Sequence, residues 1–259
     1  MQVKANGITF NCLVDGGHDA PWLVFSNSLA TNLSMWDDQA RTLSGRFRIL
    51  RYDQRGHGKS QAPEGPYLFA TLLADAIALM DALEIDRAHF CGLSLGGATA
   101  LGLAEQHSDR IDRVIVCDSP CASTPASAKQ WQERIGVAKS GGMTVIAEPT
   151  LQRWFPPEVY AANPPGVAKV RAMVLSTPVN GFIGCCAALA DHNFRSSVAS
   201  VSRPVLFLVG EKDAPNAAMR EMHKELAGSQ FVEIAGAGHI SNVEQPEAFT
   251  RALEPFLTT

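Results

Sequence analysis

The sequence predicts an α/β fold in which a mostly parallel central sheet is flanked by helices and interrupted by a helical insertion. Three observations carry this. Short continuous apolar runs recur, such as Val114-Ile115-Val116-Cys117 and Val205-Leu206-Phe207-Leu208-Val209, and runs of that kind are strands buried on both faces. Helical spacing separates them, as in Thr71 to Leu83 with Leu72, Leu73, Ala76, Ile77, Leu79, Met80 and Leu83 apolar. The alternation stops between Pro120 and Ser197 and then resumes. With 46% apolar residues in a chain of 259, there is enough material for one large core.

In chain order, residues 2–15 alternate loosely around Asn6-Gly7, a hairpin turn signal. Trp22-Leu23-Val24-Phe25 and Phe47 to Asp53 follow as strands, and then comes the helix at Thr71 to Leu83. Ala88-His89-Phe90-Cys91 runs into Gly92-Leu93-Ser94-Leu95-Gly96, and the Ala/Leu-rich stretch from Ala98 to His107 reads as a buried helix. After the strand ending at Cys117 come clustered prolines (Pro149, Pro156, Pro157, Pro164, Pro165) and aromatics (Trp131, Trp154, Phe155, Tyr160) with helical periodicity. The last strands are Pro204 to Val209 and Gln230 to Ile234, and an amphipathic helix runs from about Glu244 to Leu257. The expected division is a core from residues 1–119 and 198–259 with a cap at 120–197.

Net charge is −4, from 22 basic and 26 acidic residues, so no electrostatic argument favours nucleic acid or an anionic membrane as partner. No apolar run approaches the roughly 20 residues of a membrane helix. The opening MQVKANGITF lacks the apolar centre of a signal peptide. Six cysteines show no CxxC spacing, which argues against a zinc site or a disulfide framework and for a reducing, cytoplasmic setting. No GxGxxG fingerprint or phosphate motif occurs, so no cofactor or metal is implied.

Gly92-Leu93-Ser94-Leu95-Gly96 fits G-x-S-x-G, a weak pattern alone. Its setting between a buried strand and a helix is that of a nucleophile elbow. Small residues leave room for the sharp bend, and the helix N-terminus offers free N–H groups to a developing anion. The competing reading is a structural glycine turn. A serine hydroxyl needs a base, and the base needs an orienting carboxylate. In the chain order Ser, acid, His, Asp213 follows the strand ending at Val209, and His239 follows Gly236-Ala237-Gly238. Ser94, Asp213 and His239 are therefore the expected nucleophile, orienting acid and general base. Asp118, just beyond the strand ending at Cys117, is a rival acid, whereas Glu211 reads as solvated. Among the seven histidines, His18, His107 and His223 read as surface residues and His57 as part of a structural turn. The expected oxyanion donors are the backbone N–H groups of Leu95 and of Leu29, the latter in the small polar loop Ser26 to Thr31.

The elbow, Asp53-Gln54-Arg55-Gly56-His57-Gly58-Lys59-Ser60, Gly210-Glu211-Lys212-Asp213 and Ala237-Gly238-His239 together resemble the α/β-hydrolase superfamily over nearly the whole chain. Within it, Phe25 to Thr31 with Met35-Trp36, Leu50 to Gly58, Cys91 to Ser94, Arg153-Trp154-Phe155 and His239 to Glu244 resemble the 3-oxoadipate enol-lactonases of aromatic-acid catabolism. Two positions depart from that pattern: Ala30 stands where a Gly is expected, and Cys117-Asp118-Ser119 where an Asn-containing segment is expected. The resemblance implies a small-molecule lactone or ester substrate and an acyl-enzyme. Competing readings are a general carboxylesterase with peracid-forming side activity, a carbon–carbon bond hydrolase, and a non-catalytic binder on the same fold. A serine nucleophile argues against the Asp-nucleophile chemistry of dehalogenases and epoxide hydrolases. An enol-lactone of this kind carries a carboxylate, for which Arg134 is the expected partner. Trp131 lies three residues earlier on the same helical face, and Trp154 is the expected apolar wall. The plainer alternative is that both tryptophans pack the cap and Arg134 pairs with Glu133 or solvent.

Overall fold

The computed structural model describes residues 1–258. Eight strands form one sheet: β1 (Gln2–Ala5), β2 (Ile8–Asp15), β3 (Trp22–Ser26), β4 (Arg48–Tyr52), β5 (Ala88–Leu93), β6 (Ile111–Cys117), β7 (Val205–Gly210) and β8 (Gln230–Ile234). Their spatial order is β1-β2-β4-β3-β5-β6-β7-β8. The β1–β2 and β2–β4 pairings are antiparallel and the others parallel. Asn6 and Gly7 join β1 to β2 with positive φ angles of 41° and 78°, the backbone that a tight hairpin turn demands. Every residue of β5 and of β7 is buried, which is why these strands read as unbroken apolar runs.

Helices α1 (Asp37–Leu43), α2 (Phe69–Ala82) and α3 (Leu95–Gln106) connect the strands up to β6. Four helices separate β6 from β7: α4 (Pro125–Trp154), α5 (Pro157–Ala162), α6 (Pro165–Ser176) and α7 (Val179–Asp191). α8 (Asn216–Glu225) follows β7, and α9 (Ser241–Glu244) and α10 (Pro246–Thr258) follow β8. α3 packs on β3, β5 and β6, and α8 packs on β7 and β8. α1, α8 and α9 lack a counterpart in the sequence reading; they are 7, 10 and 4 residues long, too short for periodicity to stand out. The terminal helix begins at Pro246 because a separate short turn, α9, occupies Ser241–Glu244.

α4 starts cleanly. Thr124 and Ser127 form a reciprocal capping box, and Pro125 supplies a preset first turn. It then breaks at Gly142, whose φ of 66° and ψ of −164° are not helical, so the second stretch turns back toward the sheet edge. α6 and α7 both pack on α4. At the other end of the sheet edge, Trp36 stacks on Phe25 at 4.5 Å and lies 6.0 Å from Phe249, anchoring the segment after β3 between sheet and α10. Among the described residues no single helix is long and apolar enough to cross a membrane.

Candidate active site

Ser94 sits between the last residue of β5 and the first of α3, with φ 56° and ψ −110°. Such a conformation costs a non-glycine residue on the order of 1–3 kcal/mol and persists only where the surroundings impose it. Here they do. The Ser94 N–H is held by the Cys117 carbonyl at 2.8 Å. A Cβ on Gly92 would run into the Gly96 carbonyl, and one on Gly96 into the Ser26 carbonyl, so the bend closes only with glycine at both positions.

Asp213 follows β7 and His239 follows β8, on the strand edge where β5 ends at Ser94. His239 Nδ1 lies 2.9 and 3.0 Å from the two Asp213 carboxylate oxygens. That contact makes Nδ1 the protonated nitrogen and leaves Nε2 as the ring's acceptor. The His239 backbone N–H donates to the Trp154 carbonyl at 2.7 Å, and the Trp154 ring stands 5.7 Å from the imidazole. Ser94 and His239 both open onto one cavity, with no hydrogen bond joining them; such contacts commonly tighten only when substrate is bound. Asp118 faces the same cavity, but its carboxyl oxygens accept from Gly210 N–H at 2.8 Å and from Ser241 Oγ at 2.6 Å rather than from the imidazole.

The loop after β3 is held from below. Asn27 Nδ2 donates to the Tyr52 carbonyl at 2.8 Å, and the Gln54 side-chain amide donates to the Asn27 carbonyl. His57 is wholly buried. Its Nδ1 donates to the Arg55 carbonyl at 3.0 Å, and its Nε2 accepts the Ala30 N–H at 2.9 Å. Burial holds the imidazole below its ordinary pKa, consistent with a neutral ring. Ala30 has φ 57°, the left-handed backbone that explains why glycine is the expected residue there. Among the described residues the N–H groups of Leu29 and Leu95 have no hydrogen-bond partner, and Leu29 lines the cavity.

The cavity measures about 280 Å³. Besides Ser94, Asp213, His239 and Leu29, its walls include Trp131, Arg134, Arg153, Trp154 and His192. Arg134 pairs neither with Glu133 nor with solvent alone: its guanidinium donates to Thr150 Oγ1 at 2.8 Å and lies 4.9 Å from the Trp131 ring and 5.4 Å from Phe182. Burial, and secondarily the nearby Arg153, lower its pKa to about 10. Burial lowers Arg153 as well. Neither arginine has a carboxylate partner among the described residues.

Thus the structure gathers the expected Ser94, Asp213, His239, Leu29, Trp131, Arg134 and Trp154 around one space. Among the wall residues not assigned there from sequence are Arg153 and His192. Arg153 is 19 positions beyond Arg134 and reaches it only because α4 folds back at Gly142. His192 lies at the end of α7 and is buried, with Nδ1 2.8 Å from the Leu189 carbonyl; nothing in Asp191-His192-Asn193 marks it. His107 and His223 are half-buried rather than on the open surface, and His223 bonds Ser229 Oγ at 2.8 Å.

A strained serine between strand and helix, followed by acid and histidine on successive strand ends, is the site layout of one large class of enzymes. Residues 16–252 match the alpha/beta hydrolase family, and the chain belongs to it. Within that family it is similar to two proteins of Acinetobacter baylyi. It is 38% identical to 3-oxoadipate enol-lactonase 2, over 97% of this chain and 94% of that one. It is 34% identical to 3-oxoadipate enol-lactonase 1, over 99% and 96%. The crystal structure of the enol-lactonase from Burkholderia xenovorans superposes with a TM-score of 0.96 at 40% identity, each chain covered completely.

Proposed function

We propose that this chain hydrolyses a carboxylate-bearing enol-lactone, of the 3-oxoadipate enol-lactone kind, through an acyl-enzyme on Ser94. The observation that carries the reading is the pairing, in one cavity, of Ser94, His239 and Asp213 with two arginines that lack carboxylate partners. Arg134 is partly buried, and a cation held from water without a countercharge is costly; a substrate carboxylate offsets that cost by a charge-assisted, bidentate contact, with the exposed Arg153 adding positive charge beside it. Similarity to enol-lactonases in two organisms supports the same reading.

In this mechanism His239 Nε2 takes the Ser94 proton as Oγ attacks the lactone carbonyl. Asp213 holds the imidazole in the Nδ1–H tautomer and stabilises the imidazolium. The N–H groups of Leu95 and Leu29 receive the oxyanion, and the positive end of α3 adds to their effect. Collapse of the tetrahedral intermediate breaks the ring C–O bond. The enol oxygen leaves, takes the proton from His239, and tautomerises to the ketone. Water, activated by the same Nε2, then releases the new carboxylate from Ser94. Residues 1–119 and 198–259 form the core that carries this chemistry, and residues 120–197 cap it and select the substrate.

The test is a kinetic comparison of a freshly generated carboxylate-bearing enol-lactone with a neutral ester of similar size. The reading expects kcat/KM for the lactone to exceed that for the ester by about 100-fold, roughly what one desolvated ion pair supplies. Equal values would transfer the chain to the general esterases.

A further inference from the structure

We propose that His57 is a positioning residue for the oxyanion hole: its Nε2 lone pair holds the Ala30 N–H and so fixes the turn that presents the Leu29 N–H to the developing anion. This rests on the reading of Ser94 as the nucleophile and of the Leu29 N–H as one of the two oxyanion donors.

The loop after β3 contains a tight turn. The Ser28 carbonyl accepts the Thr31 N–H at 3.3 Å and the Thr31 hydroxyl at 2.8 Å, so Leu29 and Ala30 stand at its two corners. Leu29 keeps a negative φ, whereas Ala30 takes φ 57°. That combination is the type II turn, whose second corner is ordinarily glycine. In a trans peptide the N–H points away from the carbonyl. The Ser28 carbonyl faces Thr31, so the Leu29 N–H of the same peptide is turned the other way. It has no hydrogen-bond partner among the described residues, and Leu29 lines the cavity with Ser94.

Ala30 is strained in this turn, because its β-carbon disfavours the left-handed region. A flip of the Leu29–Ala30 peptide relieves the strain by converting the turn to type I, in which both corners have negative φ. His57 opposes the flip. Its Nδ1 lies 3.0 Å from the Arg55 carbonyl and therefore carries the hydrogen; its Nε2 lies 2.9 Å from the Ala30 nitrogen and therefore carries the lone pair. After a flip the Leu29 carbonyl would face that lone pair, acceptor against acceptor, among residues that are all buried.

The imidazole is itself braced. Both Asp75 carboxylate oxygens hold the Arg55 guanidinium, at 2.6 and 2.8 Å, and the His57 N–H donates to the Gln54 carbonyl at 2.9 Å. The segment from Asp53 to His57 grips the loop at two other places. The Gln54 amide donates to the Asn27 carbonyl, and Asp53 Oδ1 accepts the Leu33 N–H at 2.7 Å. Those two bonds secure the ends of the loop and do not involve the imidazole. The His57 bond acts at the corner next to Leu29. Losing the acceptor therefore leaves the loop attached and frees one peptide. The donor so loosened counts most when charge has developed on the substrate oxygen, which is a loss in kcat rather than in KM.

The experiment compares the wild type, His57→Phe and His57→Gln on a neutral ester, with active sites counted by a covalent serine trap and Tm recorded for each. Phenylalanine keeps a ring and removes the acceptor; glutamine gives up the ring and returns an acceptor oxygen. His57→Phe is expected to lose about 10- to 100-fold in kcat per trapped site with KM within about twofold, a part of what a whole oxyanion donor supplies. Its affinity for an aryl trifluoromethyl ketone, whose hemiketal with Ser94 places an oxyanion in the hole, is expected to fall by the same factor. His57→Gln is expected to recover both readouts to within about fivefold of the wild type. If His57→Phe does not accumulate as folded protein, His57→Asn, one carbon shorter than glutamine, takes its place with the same expectation. A packing role predicts the reverse order, with phenylalanine above glutamine, and that order overturns the proposal. So does a loss confined to KM, or a ketone affinity that His57→Phe leaves unchanged. Ester turnover that survives Ser94→Ala removes the acyl-enzyme reading itself and overturns this proposal with it.

Discussion

The strand edge and the helical segment from α4 to α7 contribute to one cavity in different ways. At the edge, each chemistry-bearing side chain stands directly beyond a strand that is hydrogen-bonded to its neighbours, and β5 and β7 are buried throughout. Ser94 and Asp118 are strained and held in place by backbone contacts on several sides. The helical segment supplies Trp131, Arg134, Arg153, Trp154 and His192 from a helix with a break at Gly142 and from the end of α7. Its two arginines have no acidic partner among the described residues. The edge pairs His239 with an acid of its own, whereas the helical wall presents two arginines without a countercharge. On the proposed function, that difference gives bond-breaking to the first region and substrate choice to the second. They meet at Trp154, whose carbonyl receives the His239 N–H and crowds Gly238 so closely that a Cβ there would collide with it.

The division of labour is exposed most sharply by Ser94→Ala. It should lower kcat by about 10⁴-fold or more with an unchanged Tm, since the acyl-enzyme route is lost. A covalent serine trap followed by peptide mass spectrometry should label Ser94 in the wild type and nothing in the variant. Substantial residual turnover would remove the strand edge from the chemistry. Asp213→Asn comes next, at about 10³–10⁴-fold in kcat, because an amide no longer fixes the required imidazole tautomer. KM should change little, so a loss expressed mainly in KM would contradict the role given to this edge.

On the helical side, Arg134→Leu should raise KM for the carboxylate-bearing lactone about 10- to 100-fold and leave a neutral ester within about twofold. Equal effects on the two substrates would erase the distinction between the regions. The smallest effect is expected at Ala30. Glycine there removes the left-handed strain on a β-carbon at some cost in unfolded-state entropy. Ala30→Gly should therefore stabilise by at most about 1 kcal/mol, a Tm increase of roughly 2 °C for a chain of this size. Thermal unfolding measures it, and a decrease would mean that the loop needs the methyl group for packing.

Much of the edge was legible in the sequence because each signal is local. Buried parallel strands appear as apolar runs. Gly92 and Gly96 mark a bend where carbonyls crowd the backbone. Asp213 and His239 are found by following the next strands to their ends. The helical wall was only half legible. Trp131 and Arg134 share a face by helical spacing, but the Thr150 partner of Arg134 and its neighbour Arg153 come from beyond the break at Gly142. The surface reading of His223 missed Ser229 and Phe231, its neighbours at 2.8 Å and 5.6 Å.

By itself the sequence determined the sheet, the insertion within it, and the order of serine, acid and histidine, since periodicity and backbone sterics act over a few residues. Only the tertiary structure separates the surroundings of the two aspartates. Asp118 and Asp213 both follow strands, and no local pattern separates them. Their contacts diverge because Gly210 and Ser241, 92 and 123 residues beyond Asp118, occupy its oxygens, while His239 occupies those of Asp213. Hydrogen-bond partners and burial set what each carboxyl can contact, and both depend on contacts that only the folded chain makes.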